Sequence, residues 1–130
     1  MVVNDSYQEG WLDEGFAELA SMMFFMDHDK ISEQKVWERT KAAAQLAKGK
    51  PSNLALDDYD GEIYGAFYAI PSLRLWELIS TYGDVSDGWR FLQSYYKQYA
   101  YKQVDTKEFV RFATTYFPVK ENYFSDWLKL

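Results

Sequence analysis

The chain reads as an all-α protein of about six helices. Three observations predict it: apolar residues recur at helical steps of three and four through most of the sequence, helix-capping residues and Gly/Pro punctuation separate those stretches, and only one weak strand candidate is present. Of the 130 residues 48% are hydrophobic and 26% charged, an ordinary globular composition for which one domain, residues 1–130, is expected.

The first helix is marked by Leu12, Phe16, Leu19, Ala20 and Met23, which share one face of a helix from about Leu12 to Met26. The polar run Asp27-His28-Asp29-Lys30 closes it. Ser32 is placed to cap a second helix whose inner face carries Val36, Trp37, Thr40, Ala43, Ala44 and Ala47. Gly49 and then Pro51 end it in the usual order. Ser52 to Gly61 is acidic and irregular and is expected to be a loop. A third helix runs to Tyr82 with Leu73, Trp76, Leu78 and Ile79 turned inward, and Pro71 fits its first turn, where a missing N–H does no harm. Gly83-Asp84 stops it. The fourth helix, from about Ser86, buries Trp89, Phe91, Leu92, Tyr95, Tyr96 and Tyr99. Asp105-Thr106-Lys107-Glu108 has the form of a capping box with a carboxylate in place of the hydroxyl, and opens a fifth helix carrying Phe109, Phe112 and Ala113. Pro118 breaks that helix, and Tyr123 to Leu128 is read as a last short one. The strand candidate is Ile63 to Tyr68, with a glycine inside it.

Composition removes several functions. The net charge is -6 and no cluster of four or more Lys/Arg residues occurs, whereas nucleic-acid binding rests on a concentrated basic face. The apolar runs from Met22 to Met26 and from Ile63 to Ile70 are far short of the roughly 20 residues of a membrane span. Met1 to Gly10 has neither the basic start nor the apolar core of a signal peptide. There is no cysteine, so disulfides and thiolate metal sites are excluded. Asp57, Asp58, Asp60 and Gly61 hint at a calcium loop. The EF-hand pattern fails, because Leu56 and Phe67 stand where the first and last carboxylates are needed. Aromatic residues make up 19% of the chain, which suits a thick helical core lining a cleft.

One stretch goes further than composition. Trp11-Leu12-Asp13-Glu14-Gly15-Phe16-Ala17 resembles the Trp-Leu-(Asn/Asp)-Glu-Gly-Phe-Ala segment of the membrane alanyl aminopeptidase family and its gluzincin relatives. In that family the glutamate is a zinc ligand on a helix, and a His-Glu-x-x-His helix about eighteen residues upstream supplies the other two. Tyr68-Ala69-Ile70-Pro71-Ser72-Leu73, running to Gly83-Asp84, is similar to the family's Tyr-x-Lys-Gly-Ala passage, with Ile70 at the lysine and Pro71 at the glycine. Phe91-Leu92 through Tyr99-Ala100-Tyr101-Lys102 to Phe109, and then Phe124-Ser125-Asp126-Trp127-Leu128, resemble later family segments in the same order.

The resemblance implies the helical C-terminal part of a thermolysin-like catalytic domain, with Glu14 as third zinc ligand. Tyr68 would be the tyrosine that stabilises the tetrahedral transition state, and Tyr64, in Tyr64-Gly65-Ala66, is its rival for that role. Glu18, one turn beyond Glu14, is an outer support or a plain surface residue. The single histidine, His28, cannot supply His-Glu-x-x-His and is read as a loop residue between two aspartates. Zinc is therefore expected in an intact parent but not in this chain alone, and the isolated chain is expected to be inactive. The implied partners are a peptide substrate and the upstream half of the catalytic domain. A cleft wall around Phe16, Phe67 and Tyr68 is expected to be exposed and to pair with another copy. The competing reading is a non-catalytic helical protein-binding module descended from such a peptidase.

Overall fold

The computed structural model describes residues 9–130 apart from Lys48. Five α-helices form the body: α1 (Gly10–Asp27), α2 (Glu33–Leu46), α3 (Ile70–Tyr82), α4 (Val85–Tyr99) and α5 (Thr106–Tyr116). Short 3₁₀ turns cover Leu56–Asp58 and Glu121–Phe124, and a π-helical turn covers Tyr64–Ala69 immediately before α3. No strand occurs among the described residues, so the all-α expectation holds and the strand candidate is helical instead.

Helix ends follow local chemistry. The Ser32 hydroxyl accepts from Lys35 N–H and starts α2. Asp84 and Asp87 form a reciprocal capping box at the start of α4, with Asp84 accepting from Ser86 and Asp87 N–H and Asp87 accepting from Asp84 N–H. At α5 only half of the expected box forms. Asp105 accepts from Glu108 N–H at 2.9 Å, but the Glu108 carboxylate turns to the Tyr99 hydroxyl at 2.8 Å and to Arg111 at 2.5 Å. A charged partner outcompetes a backbone N–H for the same oxygens.

α1 is the central helix, packed on the π-turn, α2, α3 and α4. Glycines set how closely it is approached. A Cβ at Gly10 would meet the Phe67 ring at 2.6 Å, and one at Gly15 would meet Pro71 Cβ at 2.6 Å. Around Trp11, wholly buried, the rings of Phe109 and Trp127 stand edge-on at 5.1 and 5.3 Å. Its indole N–H donates to Thr106 Oγ1 at 3.1 Å, and the Thr106 hydroxyl donates to Glu9 at 2.6 Å. The C-terminal segment is tied to the loop after α2: Ser52 N–H donates to Trp127 C=O at 2.9 Å, and Asn53 exchanges two 2.7 Å hydrogen bonds with the Lys129 backbone.

Two side-chain expectations are corrected. Phe16 and Phe67 do not form an exposed wall; they are 2% and 3% exposed. Phe16 stacks on Tyr95 at 4.4 Å, and Phe67 lies against Gly10 and meets the Tyr59 ring edge-on at 5.2 Å. The chain's own α4, π-turn and α1 fill the space that a missing half was expected to leave open. Tyr96, read as core, is 46% exposed. It follows Tyr95, and adjacent helix positions lie about 100° apart, so Tyr95 takes the buried seat.

Candidate functional site

Glu14 and Glu18 are four residues apart on α1 and therefore share a face, as do Tyr64 and Tyr68 on the turn before α3. The fold sets these two faces against each other. The Tyr64 hydroxyl donates to Glu18 Oε2 at 2.6 Å, and the Tyr68 hydroxyl lies near enough to the Glu14 carboxylate for that carboxylate to raise its pKa. The two rings stack with centroids 5.3 Å apart and planes 21° from parallel. All four side chains lie at the rim of the core: Tyr64 is exposed, while Glu14, Glu18 and Tyr68 are half-buried.

The backbone that presents the tyrosines is unusual for a stated reason. Pro71 has no N–H to offer and its ring crowds the carbonyl one turn back, so an ordinary α-helix cannot run through it undisturbed. The chain widens to a π-turn over Tyr64–Ala69, the device by which helices absorb such an interruption. Ile70 N–H reaches back five residues to Gly65 C=O. The Ser72 hydroxyl donates to the Tyr68 and Ala69 carbonyls at 2.6 and 3.2 Å, supplying partners beside the proline. Pro71 thus begins α3 as expected but lies inside a longer continuous helical run. Gly15, next to Glu14, admits Pro71 against α1.

Charge and burial tune the phenols. The hydrogen bond to Glu14, followed by burial and the charges of Glu14 and Glu18, pushes Tyr68 up to about 12. Burial, followed by the hydrogen bond to and charge of Glu18, pushes Tyr64 to about 12 against a lesser opposing pull from Arg39. Both hydroxyls are protonated at neutral pH and act as hydrogen-bond donors, not bases.

Glu14 and Tyr68 are thus brought together, and so are Glu18 and Tyr64. Tyr64 meets Glu18, while Tyr68 lies by Glu14. The signal for the second pair was the matched spacing of four residues in both segments. His28 stands apart after α1, stacked on Phe24 at 4.7 Å and hydrogen-bonded to Asp29 at 2.8 Å. No group of three or more His, Cys, Asp or Glu residues able to hold a metal ion occurs among the described residues. Zinc takes three protein ligands and an open position. Two carboxylates on one helix face, one of them already accepting a phenol hydrogen bond, do not fit a zinc site by themselves.

No family model, curated protein or solved structure matches this chain.

Proposed function

We propose that the chain is the helical half of a zinc-dependent aminopeptidase catalytic domain, in which Glu14 supplies one metal ligand and Tyr68 a transition-state hydrogen bond. The observation that supports the reading is that the fold brings the Glu14–Glu18 face of α1 against Tyr64 and Tyr68, so that Glu14 and Tyr68, 54 positions apart and both singled out by the family resemblance, lie near each other. Zinc, when bound by three such ligands, lowers the pKa of a water and polarises a carbonyl. Glu14 sits on a rigid central helix, which holds a ligand more exactly than a loop does. Tyr68, protonated with a pKa near 12, can donate to a developing oxyanion, a contact worth about 3 kcal/mol when preorganised. The sequence holds one histidine, so the two imidazoles of His-Glu-x-x-His come from residues outside these 130.

The test is calorimetric zinc titration of this chain and of a longer product of the same gene that carries a His-Glu-x-x-His segment. Zinc binding by the longer product alone, weakened in its Glu14→Ala variant, is the expected result. A longer product that ignores zinc, or a gene with no such segment, sinks the reading and leaves the helical binding module in its place.

A further inference from the structure

Glu14 and Glu18 stand one helical turn apart on α1, a spacing that sets Cβ atoms about 5–6 Å from each other. The Tyr64 and Tyr68 rings across from them stack at a matching 5.3 Å, with planes 21° apart. The two faces therefore form a ladder of two rungs, Glu18 to Tyr64 and Glu14 to Tyr68, with the chain directions opposed. A ladder of like rungs has a second register. The two carboxylates are chemically identical, and Glu18 is close enough to Tyr68 for its charge to act there. Placing Tyr68 on Glu18 would take its hydroxyl a full turn away from Glu14.

One contact separates the two registers. The Tyr64 hydroxyl donates to Glu18 Oε2 at 2.6 Å, a short hydrogen bond to a charged acceptor, which is the stronger kind. Tyr64 is 41% exposed, so packing alone does not seat its ring; Glu18 does. The stack then passes that seat along: with Tyr64 held at Glu18, the next ring falls opposite Glu14. Phe67, between the two tyrosines in sequence, is buried against Gly10 and Tyr59 and fixes the turn itself. What the backbone leaves open is only which carboxylate each phenol takes.

We infer that Tyr64 is a positioning residue for Tyr68: by occupying Glu18 and stacking on its neighbour, it keeps the Tyr68 hydroxyl beside Glu14. Glu18 is thus the anchor of the pair and more than a surface carboxylate. What Tyr68 does there rests on the peptidase reading. Where Tyr68 sits is measured on this chain without metal or substrate, so a failed zinc titration leaves that measurement standing.

The experiment compares nuclear Overhauser contacts from the Tyr68 ring to the side-chain methylenes of Glu14 and Glu18, in the 130-residue chain and two variants. The unaltered chain is expected to show the Glu14 contact as the stronger. Tyr64→Phe keeps the stacking ring and removes only the hydroxyl. Glu18 is then free, and two like acceptors one turn apart divide the phenol about evenly. The Glu14 contact is expected to lose about half its intensity while the Glu18 contact gains. Adding Glu18→Ala removes the competitor, and the Glu14 contact is expected to return. A tyrosine with a merely structural role would give no such rescue. The Tyr59–Phe67 ring contact, 5.2 Å in this fold, reports that the turn is intact in each variant. A Tyr64→Phe chain whose Tyr68 stays on Glu14 overturns the proposal, because Glu14 then holds the phenol unaided. A Glu14 contact that is lost and not restored by Glu18→Ala overturns it too, because Tyr64 then acts by packing alone.

Discussion

At the scale of single residues, the informative unit is a carboxylate with a phenol on it. Glu14 raises Tyr68 chiefly by accepting its hydrogen bond, so Glu14→Gln is expected to bring the Tyr68 phenol from about 12 back toward its ordinary 10. Carbon NMR of the tyrosine ring read against pH measures this directly, and an unmoved titration would mean the hydrogen bond is not made. Glu18→Gln is expected to act mainly on Tyr64 and only weakly on Tyr68, for which Glu18 is the last and least of the charges. The two substitutions together distinguish a ladder of paired groups from two unrelated surface contacts. The charge of Asp13, next to Glu14, acts on Tyr95 and Tyr96 of α4.

At the scale of elements, the seam between α1 and the start of α3 decides whether those residues meet. Gly15 is inside a helix, where alanine is ordinarily favoured by about 1 kcal/mol. Its added Cβ would lie 2.6 Å from Pro71 Cβ, and neither neighbour is the end of a flexible side chain. Overpacking of this kind costs about 1–3 kcal/mol. Gly15→Ala is therefore expected to be destabilising on balance in urea unfolding, and to separate Glu14 from Tyr68, so that the Tyr68 titration falls as it does in Glu14→Gln. A stabilised Gly15→Ala protein with an unchanged Tyr68 would show that the seam is loose. The glycine and the proline form one device: the proline opens the helix into a π-turn, and the glycine lets α1 settle against the proline.

Across the whole molecule, aromatic packing carries the core. Trp11 touches α5 and the C-terminal segment at once, through Phe109, Trp127 and the Thr106 hydroxyl. Trp11→Ala is expected to cost about 3–5 kcal/mol, much of the roughly 5–15 kcal/mol by which native domains are stable. Circular dichroism through a urea titration checks it, and a loss below about 1 kcal/mol would contradict the packing described. Alkaline pH tests the molecule as a whole. Tyr64, Tyr68 and Tyr99 are each raised to about 12, so the folded state holds their protons more tightly than the unfolded chain does. Their contribution is fully present below about pH 10 and is lost as pH rises through 12. Stability is expected to fall steeply across that window, starting from a lower value in Glu14→Gln; a flat profile to pH 12 would refute the shifts.

The sequence by itself determined the five α-helices and most of their caps, because those depend on neighbours within a few positions; the expected last helix, Tyr123 to Leu128, is instead a 3₁₀ turn over Glu121–Phe124. Leu12, Phe16, Leu19 and Met23 mark one buried face, Ser32 caps α2, and Asp105 caps α5. It also drew attention to Glu14, Tyr68 and their neighbours Glu18 and Tyr64, through motif and spacing. Only the tertiary structure decided which carboxylate meets which phenol, since that depends on how closely α1 approaches a turn some fifty positions away. It also decided that Phe16 and Phe67 are covered by the chain's own helices, and that Glu108 leaves its capping role for Tyr99 and Arg111. The π-turn belongs to both scales. Pro71 is visible in the sequence as a helix start, but whether the chain before it stays helical depends on burial against α1 and α2 and on Ser72 supplying a hydrogen bond beside the proline.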